Sequence, residues 1–318
     1  MSTTNLRDTI STRTGFGPDA EDGIYLGVPE AEYHNHPALS RSVLAKAARY
    51  SPAHAYYDWK EDDEEYSTDA TSLGRAVHSY VLTPGVFEEE YGVTPESCEG
   101  TYNSGDPCTA SPKNRYDGTW YCGRHNPDQE PDEIEGLSPS KYEKIEGMTG
   151  ALQRDPDTIM LLFEGSGLTE VTILWTDEVT GLQCKARLDR VVEINGSLHV
   201  VDLKTTRSAH PDDFRRSISK YGYWLQPVFY PHGLRELVDM PVRSFVFACV
   251  ESDKPFVVQC FQLADETRKA AARRLSSLMS SMQQAVEEGV REGYHDGVAP
   301  IDMKRYEKER LELRTDPS

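Results

Sequence analysis

The chain has 318 residues, 37% of them hydrophobic, and a formal net charge of −19. That length suits one large domain with additions or two small ones, and no apolar run approaches the roughly 18 residues of a membrane-spanning helix. Such acidity argues against phosphate binding by overall charge, so a nucleic-acid site here must carry local positive charge from side chains or a divalent metal. The 34 basic residues divide into 22 Arg and 12 Lys, a bias that fits either a high-salt cytoplasm or a GC-rich genome.

Residues 1–22 are polar and read as a disordered segment. The opening MSTTNLRDTISTRTGFG lacks the apolar stretch of a secretory signal, which points to the cytoplasm. Order is expected from Gly23. After Ser40-Arg-Ser42 the amphipathic stretch SVLAKAARYSPAHAYYDW predicts helix, split in two by Pro52. Residues 60–69 form an acidic connector. A further helix is expected from Thr71 to Leu82, ended by Pro84-Gly85.

Residues 91–136 are rich in Gly, Pro, Asn, Asp and Cys and lack periodicity, which marks an irregular insertion. Helix resumes over 140–154. Strands follow at 168–176, 182–194 and 197–206, the last two joined by the hairpin signal Asn195-Gly196. The third is mostly apolar and is expected at the centre of the sheet. Helices at 211–219 and 221–238, a hairpin of 242–251 with 256–263, and a long helix over 264–289 complete the core. The expected layout is therefore a disordered 1–22, one α/β domain over 23–290 with 91–136 inserted, and a charged, mobile tail over 291–318.

Asp202 lies inside an apolar strand, where a buried carboxylate costs several kcal/mol unless it is paired or binds a cation. Side chains alternate along a strand, so Lys204 shares its face. Taken alone, Asp-x-Lys reads first as a buried ion pair. Beside a hairpin carrying Asp189, the alternative is a hard-oxygen pocket of the kind Mg²⁺ takes, with a lysine at its rim, and Glu170 stands nearby in the same meander. Upstream stands Gly74-x-x-x-His78, and downstream Gln226-x-x-x-Tyr230 at one-turn spacing.

The ordered series GxxxH, Glu, Asp, Asp-x-Lys, QxxxY resembles the PD-(D/E)xK nuclease superfamily in its RecB-like branch. The wider match, through Tyr33–Ser42, Arg49–His54, Ser72–His78, Thr180–Asp189, Val201–Thr206 and Tyr221–Tyr230, is similar to the nuclease domain of RecE (exonuclease VIII) and its phage relatives. The resemblance implies a restriction-endonuclease-like core, a mixed β-sheet flanked by helices. It implies Asp189 and Asp202 as principal ligands of Mg²⁺ or Mn²⁺, with the Leu203 carbonyl and His78 joining them, Glu170 assisting, and Lys204 as the catalytic lysine. Gln226, Tyr230, Tyr221 and Arg187 would face the DNA. It further implies a DNA exonuclease of recombination or repair, with homo-oligomers and a single-strand annealing protein among its partners. An endonuclease or nickase of the same fold, or an inactive DNA-binding module, are the alternatives. Where relatives have Arg-Pro-Asp this chain has Arg187-Leu188-Asp189, which keeps the ligand and alters the expected local bend.

Cys98, Cys108, Cys122 and His125 of the insertion make a complete ligand set for structural Zn²⁺. Free thiols in a flexible loop, or an iron–sulfur cluster, are the competing readings. Cys184, Cys249 and Cys260 sit in strand patterns and read as small core residues.

Overall fold

In the computed structural model the described residues are 10–61, 69–290, 298 and 300–312. Residues 1–9, most of the acidic connector and much of the charged tail therefore lie outside the described residues. Strand β1 (Thr12–Arg13) precedes β2 (Gly23–Tyr25), helix α1 (Glu30–Asn35) and strand β3 (Leu39–Ser40). Helices α2 (Arg41–Arg49) and α3 (Pro52–Glu61) are parted at Pro52 as the sequence predicts. Helix α4 (Asp69–Leu82) carries His78.

That run ends at Leu82, just before Pro84-Gly85, as expected. Pro84 then occupies the first turn of a new helix that the sequence did not announce, α5 (Pro84–Glu90), a position where its missing N–H costs no hydrogen bond. The insertion then begins with β4 (Tyr91–Val93), holds the hairpin β5 (Asn114–Tyr116) and β6 (Thr119–Tyr121), and leaves through β7 (Glu135–Leu137). Strands β4 and β7 pair in parallel, Tyr91 opposite Glu135 and Val93 opposite Leu137.

Helix α6 (Pro139–Leu152) leads through a π turn at Ile159–Phe163 to the meander β8 (Gly167–Thr176), β9 (Gln183–Ile194) and β10 (Ser197–Thr206). Helices α7 (Pro211–Lys220) and α8 (Gln226–Leu237), strands β11 (Val242–Glu251) and β12 (Val258–Phe261), and helix α9 (Asp265–Glu288) follow. A short exposed helix, α10 (Arg305–Glu312), stands in the tail that was expected to be mobile. The helix expected over 221–238 is broken. Gly222 turns at φ +66, a conformation open to glycine, and a 3₁₀ turn at Tyr223–Leu225 restarts the chain as α8.

The main sheet has eight strands in the order β1-β2-β8-β9-β10-β11-β12, with β3 attached to β9. It is mixed: β10 and β11 run parallel while the meander is antiparallel. Strand β10 lies between β9 and β11, so its apolar run is buried on both faces. One face packs on α2, α8 and α9 through Leu44, Phe229, Leu234 and Met282. The other packs on α4 and α6 through Val77, Ile145, Met148 and Leu152. Along β10, Leu198 and Val200 serve the first layer and Val201 and Leu203 the second.

One feature lies outside the expected boundary of the domain. Residues 10–22 are ordered: Ile10 is buried in the first layer, Phe16 packs on Tyr25, and β1 pairs with β2. The loop and helix over 28–36 are tied to β9 by buried cations. Lys185 Nζ donates to the carbonyls of Tyr33 (2.6 Å), His34 (3.0 Å) and His36 (2.6 Å) around the C-terminal end of α1. There the helix dipole favours a positive charge. Among the described residues, no helix is long and apolar enough to cross a membrane.

Candidate active site

Strand β9 pairs with β10 only from Arg190 to Ile194. Further toward its start it pairs with β3, at Cys184 and Lys185. The two strands thus diverge at Asp189, and β10 continues beside β11 alone. The split leaves the Leu203 amide without a strand partner on that side. Asp189 takes its place: Oδ2 accepts from Leu203 N at 2.7 Å.

His78 Nδ1 of α4 stands 3.5 Å from Asp189 Oδ2. Glu170 reaches the same point from β8. The ladder between β8 and β9 is regular on either side, Thr169 with Arg190 and Val171 with Leu188, but lapses at Glu170. That residue has φ +49, in the left-handed region that non-glycine residues avoid. The local twist aims its carboxylate at Asp189. One ligand atom each from His78, Glu170 and Asp189 lie within 4.8 Å of one another. Burial, with the Asp189 charge adding, pushes the Glu170 carboxyl up to about 7. Two carboxylates and an imidazole crowded this closely make a donor set that suits a hard divalent cation.

Asp202 is buried, 2% exposed. Its Oδ2 lies 2.5 Å from Lys204 Nζ, and its Oδ1 accepts from Gln226 Nε2 of α8. Burial raises its carboxyl, an effect that the neighbouring Lys204 charge opposes. Burial works against the Lys204 ammonium in turn, but Asp202 and Asp189 outweigh it and push its pKa up. Lys204 Nζ also rests 4.8 Å from the ring centroid of Tyr223. The alternation of β10 does place Asp202 and Lys204 together, but the carboxylate that joins His78 and Asp189 is Glu170. The nearest positive charge to Asp202 is the lysine, and the carboxylate turns to it.

His78, Glu170, Asp189 and Lys204 open onto a cleft of about 1620 Å³ that Leu203, Tyr221, Tyr223 and Tyr230 also line. Tyr221 is 49% exposed at its rim, with Lys220 Nζ 4.9 Å from its ring centroid. Tyr230 is buried, as is Gln226. Arg187 lines the cleft but is engaged in the scaffold. Its Nη2 donates to the Val28 carbonyl at 2.7 Å, and the guanidinium stands 4.7 Å from the Tyr33 ring centroid. Sequence reasoning missed Tyr223 beneath the lysine, and Glu30, Tyr33 and Glu90 along the cleft. Tyr223 carried a readable signal, since it stands three residues before Gln226 in the aromatic run Tyr221-Gly-Tyr-Trp.

In the insertion, Cys98, Cys108, Cys122 and His125 also converge, one ligand atom each within 4.8 Å of the others. None of the six cysteines is in a disulfide, and Cys184 and Cys249 are buried in the sheet as expected.

Among solved structures, a Eubacterium rectale protein described as a "putative exonuclease" superposes on 91% of this chain and 99% of its own, with a TM-score of 0.55 and 15% identity. At that identity the likeness is one of fold. SSO0001 (14% identity, 44% of this chain and 67% of its own, TM-score 0.25) and VC1899 of Vibrio cholerae (10%, 78% and 56%, TM-score 0.19) are too distant to carry an argument. No curated protein matches. Residues 40–298 match a family model described as a PDDEXK-like domain of unknown function, DUF3799. With the mixed sheet flanked by helices and the acidic, lysine-bearing cleft at its split, that match makes the chain a member of the PDDEXK-like DUF3799 family.

Proposed function

We propose that this protein is a Mg²⁺-dependent DNA exonuclease, with Mn²⁺ as an alternative ion. The observation that carries the reading is the meeting of His78, Glu170 and Asp189 within 4.8 Å, beside Lys204, in one open cleft. A bound divalent ion would supply Lewis-acid polarisation of the scissile phosphate and a lowered pKa for the attacking water. His78, Glu170 and Asp189 would hold it, with Asp202 available once it leaves Lys204. The Leu203 amide orients Asp189 by its hydrogen bond. Lys204, held charged by its two carboxylate neighbours, would stabilise the negative charge that grows on the phosphate. Gln226 fixes Asp202, and Tyr221 with Lys220 offers a stacking surface and a cation to a nucleic-acid strand at the rim.

Action from a DNA end is favoured by the resemblance to RecE-type nucleases, as are a role in recombination, repair or phage DNA processing, homo-oligomers, and a single-strand annealing partner. A cytoplasmic location fits these roles. The test is cleavage of end-labelled linear duplex and of closed-circular DNA, each with Mg²⁺, with EDTA, and with Lys204→Ala. Mg²⁺-dependent loss of the linear substrate alone is expected. Nicking of the circle would move the reading to an endonuclease. Full cleavage by Lys204→Ala or in EDTA would overturn the assignment of the site.

A further inference from the structure

We propose that Cys98, Cys108, Cys122 and His125 bind one structural Zn²⁺, and that this ion braces the acidic wall of the catalytic cleft. The separations between ligand atoms are those of a coordination shell. Cys98 Sγ lies 3.4 Å and Cys122 Sγ 3.6 Å from His125 Nδ1, and Cys108 Sγ lies 3.8 Å from Cys122 Sγ. Tetrahedral zinc, with bonds of about 2.3 Å to sulfur and about 2.0–2.1 Å to nitrogen, sets such edges at roughly 3.5–3.8 Å. A disulfide needs its sulfurs about 2.05 Å apart and would leave a third thiol over.

The surroundings are built for this cluster. Backbone N–H groups of Gly100 and Cys122 point at Cys98 Sγ, at 3.4 and 3.2 Å, and such donors favour a thiolate. Gly100 lets His125 approach closely, since a Cβ there would lie 2.8–2.9 Å from the His125 side chain and force it to shift. The three cysteines are 1–4% exposed and form their own buried cluster, against which only Ala110 and Tyr121 pack among the described hydrophobics. Even with the buried Tyr116 and Trp120 this is a small core for a loop of this length, and a metal supplies what burial does not.

A chain of contacts runs from this cluster to the cleft. Two residues before Cys122, Trp120 is buried. Its backbone N–H donates to Glu99 Oε2 at 2.6 Å, and its carbonyl accepts from Glu99 N at 2.9 Å. Its ring lies flush on β7, where a Cβ at Gly136 would come within 3.0 Å of it. The neighbouring Glu135 accepts from Ser72 Oγ at 2.7 Å, on the same helix that delivers His78. Glu133 and Glu135 line the cleft. The zinc would thus hold the strand that fixes one wall and touches the ligand-bearing helix.

The experiment is metal analysis of the full chain as purified, alongside Asp189→Ala and the double variant Cys108→Ser/Cys122→Ser. About one zinc per chain is expected in the wild type and in Asp189→Ala, and its loss in the double variant. Because a cysteine variant can fail to fold, the wild-type chain reloaded with Co²⁺ gives a second reading. Thiolate-to-cobalt charge-transfer bands of a tetrahedral site are expected. Absence of zinc with three reactive native thiols, iron with visible absorption, or zinc unchanged in the double variant would each overturn the site. Hydrogen exchange tests the brace. In the zinc-free chain, amides of β4, β7 and the start of α4 should exchange faster while β8 to β11 stay protected. Unchanged exchange at β7 would sink that part. Zinc content is read without DNA, so a zinc-bound chain that cuts nothing would count against the nuclease reading alone.

Discussion

Lys204→Met removes the ammonium 2.5 Å from a carboxylate that is 2% exposed. The Gln226 amide still donates to its other oxygen. Breaking one side of a buried pair costs about 3–5 kcal/mol, because the surviving charge stays desolvated. Asp202→Asn strands the lysine instead, but Lys204 is partly exposed and still faces Asp189 and Tyr223. Its cost should be smaller, about 1–3 kcal/mol. The double variant Asp202→Asn/Lys204→Met leaves no charge to desolvate, keeps the Gln226 contact, and should cost less than Lys204→Met alone. A coupling of about 2 kcal/mol or more is therefore expected. Urea unfolding in EDTA, followed through the buried Trp175, measures all three variants against the wild type. If Lys204→Met costs under about 1 kcal/mol, or the double variant equals the sum of the singles within ~0.5 kcal/mol, the pair is not a coupled buried unit and the reasoning fails.

Glu170→Gly should raise the melting temperature in EDTA by a few degrees, since it relieves both the positive φ and the crowding with Asp189, together about 1 kcal/mol or more; the same variant should gain less from added Mg²⁺. A lower melting temperature in EDTA would show that the φ of Glu170 stores no strain. Burial works against the Asp177 carboxylate, but hydrogen bonds from Thr180 (2.6 and 2.8 Å) and His232 (2.8 Å) outweigh it and hold its pKa below the usual range. A depressed carboxylate stabilises the fold above its unfolded pKa of about 3.9 and loses that contribution as pH falls through the folded value. His232→Ala should flatten the acid limb of the stability profile below about pH 4, and an unchanged limb would refute the pairing.

Much of this arrangement was legible in the residues. Pro52 parts α2 from α3, Asn195-Gly196 turns the hairpin with Asn195 at φ +52, and the loss of periodicity at 91–136 coincides with the β4–β7 pair. What escaped depends on contacts between distant segments. The short strands β1 and β3 and helix α1 have no strong pattern of their own; Lys185, about 150 residues away, holds the end of α1 by three hydrogen bonds. Alternation put Asp202 and Lys204 on one face, but it could not say whether the carboxylate turns to a metal or to the lysine. The role of Glu170 rests on a backbone irregularity at a single residue, which propensity does not register. Tyr223 stood in an aromatic run close to Gln226, but its place against Lys204 depends on the turn at Gly222, which the run does not announce.

The pairing of β4 with β7 means that the inserted segment departs and returns through neighbouring strands, only about 5 Å apart. Its host therefore sees the same two attachment points whatever lies between them. Such a doorway lets a lineage lengthen, shorten or exchange the module without redrawing the path of the sheet. The fold can change what stands beside its cleft, and so what the cleft admits, while the strands that carry the chemistry keep their course.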